Sequence, residues 1–131
     1  MARRTAAGSQ GRGFTLIELI VVLTIIGILL AIAVPRYFHS LDQSRETVLR
    51  QDLAVMRDAI DKYDADKGHF PETIDLLAAE HYVRAIPVDP YTKTAASWIP
   101  VPSDDPDNPG VKDLHSGAPG AARDGTPYAT W

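Results

Sequence analysis

The stretch FTLIELIVVLTIIGILLAIAV, Phe14 to Val34, decides how the rest of the chain is to be read. Of its 21 residues only Thr15, Glu18, Thr24 and Gly27 are not strongly apolar. As a helix it would cover roughly 30 Å at about 1.5 Å per residue, the thickness of a bilayer's hydrocarbon core. Three readings compete. A buried core helix would have to be wrapped on all sides, more than the about 95 following residues can do. A removable secretory signal fits the basic start (Arg3, Arg4 and Arg12) and Ala31-Ile32-Ala33, which mimics a cleavage site. Against it, the apolar run exceeds the usual ~7–15 residues, and Glu18 stands near its beginning. The third reading is a retained membrane helix with its basic end cytoplasmic.

Around this stretch the composition is uneven. The 131 residues leave room for one domain and little more. Cysteine is absent, which excludes disulfide scaffolds, thiol nucleophiles and cysteine-based zinc sites. Residues 1–13 hold three arginines and no acid, whereas the whole chain carries 13 basic and 17 acidic side chains, a net charge of -4. Nothing in this balance suggests a nucleic-acid partner, which would call for a basic patch. Eight of the ten prolines follow residue 86. A basic leader, an apolar segment, a charged middle and a loop-rich end follow one another.

Glu18 is the single charge between residues 14 and 34. An acid in a membrane helix costs up to ~2.5–3.5 kcal/mol at the centre and less near an end, unless something neutralises it. It either snorkels to the surface or meets a positive charge from elsewhere. Cleavage before Phe14 would create such a charge, since an α-amine has a pKa of about 7.7–8.0. Phe14 and Glu18 are four apart, which predicts a shared helix face. A neighbouring subunit's amine could then meet Glu18 in a packed bundle.

Gly13-Phe14-Thr15-Leu16-Ile17-Glu18 resembles the prepilin-type cleavage and methylation motif of type IV pilins and type II secretion pseudopilins, and the match continues through the apolar run, Gly27 and Pro35. The resemblance implies that prepilin peptidase cuts between Gly13 and Phe14 on the cytoplasmic side and methylates the Phe14 amine. It implies that Glu18 pairs with an adjacent subunit's amine and helps to set axial register. It also displaces the secretory-signal reading. The expected domains are a leader over 1–13, a transmembrane and polymerisation helix over 14–35, and a periplasmic pilin-like domain over 36–131.

From Arg36 to about Lys67 the helix is expected to continue, so that residues 14–67 would form one element roughly 80 Å long. Leu49, Leu53, Met56, Ile60 and Tyr63 follow 4-3-4-3 steps, an apolar stripe that needs a partner. Glu46–Arg50 and Asp58–Lys62 read as acid-first i,i+4 pairs on the wet side. Gly68 and Pro71 are the expected terminators. Pro35 predicts a kink or interruption and Gly27 a loosened turn. By resemblance to pilin-like filaments, Gly27 to Pro35 would be the extensible part.

Beyond Pro71 the elements are short. Thr73 is read as the N-cap of a helix through about Glu80 that buries Ile74, Leu77 and Ala78. Ile86-Pro87-Val88-Asp89-Pro90-Tyr91 is an extended connector. Residues 97–101, 111–115 and 127–131 are candidate strands, with Trp98, Tyr128 and Trp131 as core anchors. The expected fold class is α+β: a long N-terminal helix packed against a small antiparallel sheet, with a loop-rich C-terminus. Phe70-Pro71, the 86–90 connector and the final aspartate-glycine-to-tryptophan run resemble the major, G-type pseudopilin.

That resemblance also implies a calcium ion in the last loop, held by aspartates, a serine and backbone carbonyls. Leu114, Ser116 and Asp124 are the positions that carry over. Ser116-Gly117-Ala118-Pro119-Gly120 lacks an aspartate where the family usually has one, and no paired acids precede Trp131. Asp104-Asp105-Pro106-Asp107-Asn108 lacks the glycine and distal glutamate of an EF-hand and reads as a solvated turn, with a supporting calcium ligand or a substrate contact as the other readings. His39, His69, His81 and His115 show no metal-ligand spacing, and no P-loop, Rossmann or G-x-S-x-G fingerprint is present, so no enzyme is expected.

The expected role is a structural subunit of a homopolymeric helical pseudopilus. It would start as a single-pass protein of a bacterial inner membrane and push secreted proteins toward an outer-membrane channel. The partners implied by resemblance are prepilin peptidase, a platform protein, a cytoplasmic ATPase and minor pseudopilins. Two rivals are a surface type IV pilus subunit for adhesion, motility or DNA uptake, and a membrane-anchored binding module that never polymerises.

Overall fold

A 52-residue helix, α1 (Leu16–Lys67), carries the apolar stretch and the amphipathic stripe in one unbroken element. The computed structural model describes Gly8 and residues 11–131; Arg3 and Arg4 of the basic leader lie outside the described residues. Pro35 sits inside α1 without ending it, so the expected interruption is not found. The lost hydrogen bond and the ring clash cost stability, but long helical runs on both sides carry the helix through. The chain divides into two units, Met1–His39 and Ser40–Trp131.

In the first unit every described residue from Gly11 to His39 is exposed. The stretch is long and apolar enough to cross a membrane, with a mean hydropathy of 3.0 over its best 18-residue window and none of that window buried. Large apolar side chains with no cover in the chain itself require cover from lipid or from other chains.

The second unit has its own core. The stripe supplies Leu49, Leu53, Met56, Ile60 and Tyr63, all buried, and Ala59 is buried beside them. Leu49, Leu53, Met56 and Ile60 each stabilise the fold by about 1.5–3 kcal/mol relative to exposure. Against them pack Leu77, Val83, Trp98, Val111, Leu114 and Tyr128. Helix α1 stops where expected: Gly68 takes a positive φ of 75°, and its N–H donates to the Asp64 carbonyl at 2.8 Å.

The next helix, α2 (Asp75–Ala79), is shorter than expected. Thr73 is not its cap; Ile74 stands at that position and makes no side-chain capping bond. Leu77 is nevertheless fully buried, with Ile74 and Ala78 packed around the core. Strands β1 (Ile99–Pro102) and β2 (Val111–His115) pair antiparallel, with Ile99 opposite His115 and Pro102 opposite Val111. Pro100 and Pro102 cannot donate to a second neighbour, which suits the edge of a two-stranded sheet.

The third candidate strand is absent. Tyr128–Thr130 forms a 3-10 turn instead, with Thr130 Oγ1 donating to the Pro127 carbonyl at 2.7 Å. The turn lets the rings of Tyr128 and Trp131 meet edge to face at 5.2 Å, which an extended strand would send to opposite faces. Fold class α+β with a small antiparallel sheet stands; the sheet has one strand fewer than expected.

Candidate functional site

Gly13 and Phe14 precede α1 and are exposed, Phe14 at 89 %. Phe14 is therefore not on the same helix face as Glu18, because the helix begins two residues after it. The two still border one shallow, mostly apolar hollow of about 330 Å³ with Ile17, Val21 and Val22. A Cβ added at Gly13 would meet nothing within 4 Å, so no packing inside the chain demands glycine there.

Glu18 has a local task that the motif does not announce. Its Oε2 accepts the Thr15 N–H at 3.2 Å, while the Glu18 N–H donates to Thr15 Oγ1 at 3.2 Å. This is a reciprocal capping box, which satisfies two backbone donors at the start of an apolar helix where lipid would offer none. The signal was in the sequence as Thr-x-x-Glu ahead of an apolar run. Among the described residues Glu18 Oε1 accepts no hydrogen bond, so one carboxylate oxygen stays available. Further along, Thr24 hides its hydroxyl by donating to the Ile20 carbonyl at 2.7 Å. A Cβ at Gly27 would likewise meet nothing within 4 Å.

The C-terminal loop was the expected calcium position, and its donor set does not fit that ion. Calcium takes six to eight oxygens at about 2.3–2.6 Å. The Leu114 carbonyl already accepts from Arg57 Nη2 at 3.0 Å. Ser116 is fully buried, and its hydroxyl donates to Asp89 Oδ2 at 2.6 Å while accepting the Ala118 N–H. Asp124 is exposed and binds the Thr126 N–H and hydroxyl through one oxygen, with Arg50 4.0 Å from the other. No group of three or more acid or histidine side chains that could hold a metal occurs among the described residues.

Arginines and buried hydroxyls instead organise this region. Arg57 Nε donates to Asp113 Oδ1 at 2.7 Å. Burial alone would raise the Asp113 carboxyl, but the hydrogen bonds from Arg57 and the Leu114 N–H outweigh it and hold the group below its usual value. Asp124 is lowered too, first by its bonds to Thr126. Asp52 goes the other way, raised by burial and then by the neighbouring Asp89 charge. Asp89 itself is fully buried, receiving Ser116 Oγ and the N–H groups of Tyr91 and Thr92. The aspartate-proline-tyrosine turn signature was legible at that position, but not the distant serine that completes it.

Glu46 and Arg50 do not pair with each other as their spacing predicts. Glu46 Oε1 accepts the Arg123 N–H at 2.9 Å and the Tyr128 hydroxyl at 3.3 Å, while the Arg50 guanidinium lies 4.0 Å from the centre of the Trp131 ring. Asp58 and Lys62 do pair, at 2.7 Å. In the acidic turn, Asp104 pairs with Lys112, and Asn108 bridges the Phe70 N–H and Asp64.

A family model described as the prokaryotic N-terminal methylation motif matches residues 9–34. The chain is 35% identical over 98 residues to the type II secretion system core protein G of Pseudomonas aeruginosa, covering 63% of this chain and 69% of that protein. It is 31% identical over 101 residues to the protein of the same name in Escherichia coli, covering 65% and 70%. It is 48% identical over 50 residues to the type IV narrow pilus major component PilA5 of Thermus thermophilus, covering 38% of this chain and 43% of that protein. No solved structure matches significantly.

Proposed function

The chain belongs to the type II secretion system core protein G family, the major pseudopilins, and on that footing we propose that Gly13–Phe14 is its processing site and Glu18 its assembly charge. Its role is that of a structural subunit of a secretion pseudopilus. The relatives are structural pseudopilins, and the reading for this chain is structural as well.

One observation carries the proposal: a single carboxylate, Glu18, in an apolar stretch that nothing among the described residues covers. Prepilin peptidase cuts after Gly13, a glycine that the chain's own packing does not require. The cut leaves Phe14 with a protonated α-amine. In the packed bundle that amine approaches the free oxygen of a neighbour's Glu18, while the other oxygen keeps its bond to Thr15. Charge pairing in a low-dielectric bundle is strong, and an unpaired Glu18 is costly, so misaligned subunits are rejected.

The apolar stretch anchors the chain in the inner membrane before assembly. A cytoplasmic leader and a periplasmic second unit are supported by Arg3, Arg4 and Arg12, since basic residues collect on the inner side of a membrane. Gly27 and Pro35 mark the part of α1 that gives up helical bonds on extraction, since both weaken the ladder there. A platform protein and a cytoplasmic ATPase supply the work of extraction, and minor pseudopilins begin the filament.

The test is co-expression with the assembly machinery, followed by electron microscopy and mass spectrometry of the mature N-terminus. Processing to a methylated Phe14 and filaments with bundled N-terminal helices are expected. A protein that stays dispersed in the membrane with active machinery would sink the polymer reading and leave an anchored binding module. Filaments on the cell surface without secretion would point to the pilus reading.

A further inference from the structure

We propose that two arginines of α1, Arg50 and Arg57, clamp the C-terminal strap in place of a metal ion, so that this chain folds and holds its last loop without calcium. Three polar residues on α1 face the strap, at positions 46, 50 and 57. Steps of four and seven put them on one helix face, alongside the buried Leu49, Leu53 and Met56.

Each of the three grips a different point. Arg57 uses two nitrogens, Nε on Asp113 Oδ1 at 2.7 Å and Nη2 on the Leu114 carbonyl at 3.0 Å, and so fixes the end of β2. Arg50 lies over the Trp131 ring at 4.0 Å and 4.0 Å from Asp124 Oδ2, and so draws together two points on the last loop. Glu46 takes the Arg123 N–H and the Tyr128 hydroxyl between them. The end of the chain is further tied by His115 Nδ1 to the Trp131 carbonyl at 2.5 Å.

A divalent ion in this loop would neutralise carboxylates and gather carbonyl oxygens. Arg57 already does both, with two directional bonds from a rigid fork, and Arg50 adds a positive charge beside Asp124 and the Trp131 ring. Arg57 also blocks the ion. With its Nη2 in contact with the Leu114 carbonyl, a calcium ion on that oxygen would face a like charge a few ångströms away. The buried Ser116 is committed to Asp89 and offers no outward lone pair to a loop ligand.

The full-length protein in detergent micelles provides the test, by thermal unfolding, limited proteolysis of the C-terminus and calorimetric titration of calcium. The wild-type midpoint and cleavage pattern are expected to be the same in excess chelator and in millimolar calcium, with no saturable calcium binding. Arg57→Met and Arg50→Met should each lower the midpoint, the pair by roughly 5–10 °C, and open the strap to protease whether or not calcium is present. Arg57→Lys should rescue only part of the loss, because an ammonium cannot reach both partners. A calcium-dependent rise in the wild-type midpoint, protection lost on chelation, or saturable calcium binding would each overturn the proposal. These wild-type readouts decide even if an arginine variant fails to fold, and they do not depend on filament formation.

Discussion

Glu18 carries two tasks on one side chain, and substitutions can separate them. Glutamine keeps a carbonyl oxygen for the Thr15 N–H but has no charge, whereas alanine loses both. If charge pairing sets assembly, Glu18→Gln and Glu18→Ala should both abolish sheared filaments in a pelleting assay. If capping alone matters, Glu18→Gln should assemble normally. At Gly117 the constraint is backbone contact: an added Cβ would sit 2.1 Å from the Ser97 carbonyl oxygen, with neither partner free to move far. Gly117→Ala should therefore cost about 3 kcal/mol, the upper end of the usual overpacking range, and lower the unfolding midpoint accordingly. The N-terminal methylation motif was legible because it is written in adjacent residues. The capping box was equally local, and visible as Thr-x-x-Glu.

Among the elements, α1 is the most legible because its stripe obeys one period: all five stripe residues are buried, and Ala59 is the one buried residue the stripe leaves out. Leu53→Ala should destabilise the second unit by about 2–5 kcal/mol in chemical denaturation, since the site is closed on all sides. The polar partners of the same helix were read less well. Glu46 and Arg50 are correctly spaced to pair, but an exposed i,i+4 pair is worth only a few tenths of a kcal/mol, and better partners arrive from the chain's end. For Glu46 those partners, Arg123 and Tyr128, are 77 and 82 residues away in sequence. The last candidate strand failed for a related reason, because aromatic packing of Tyr128 and Trp131 outweighs the β-propensity of a five-residue end.

For the molecule as a whole, two carboxylates act in opposite directions with pH. Asp113 is lowered in the fold from a usual value of 3.8, so its contribution is present above that value and is lost as pH falls through the lowered one. Asp52 is raised from 3.8 by burial and by Asp89, so its contribution is present below that value and is lost as pH rises through the raised one. Asp52→Asn should therefore raise the unfolding midpoint at neutral pH and gain little at pH values below the usual carboxylate range. Asp113→Asn should do the reverse, costing stability at neutral pH, where the Arg57 bond is charged. Both are checked by thermal melts across pH. Since the buried side chains begin at Leu49, a fragment of residues 40–131 should stay soluble without detergent and unfold cooperatively, as gel filtration and circular dichroism would show.

What the residues determined unaided are the features written in local order: the apolar stretch with its one charge, the cleavage motif, the stripe on α1, the glycine stop at Gly68 and β2. Each depends on neighbours within a few positions, so period and spacing expose it. Tertiary structure alone decided which side chains meet across long separations: Arg57 with Asp113 and Leu114, Glu46 with Arg123 and Tyr128, Asp89 with Ser116. Two of those contacts occupy oxygens at the expected calcium positions, the Leu114 carbonyl and the Ser116 hydroxyl. Closing the chain on itself sets competing partners side by side, so that Glu46 accepts bonds from the Arg123 N–H and the Tyr128 hydroxyl and not from Arg50, the partner its spacing promised.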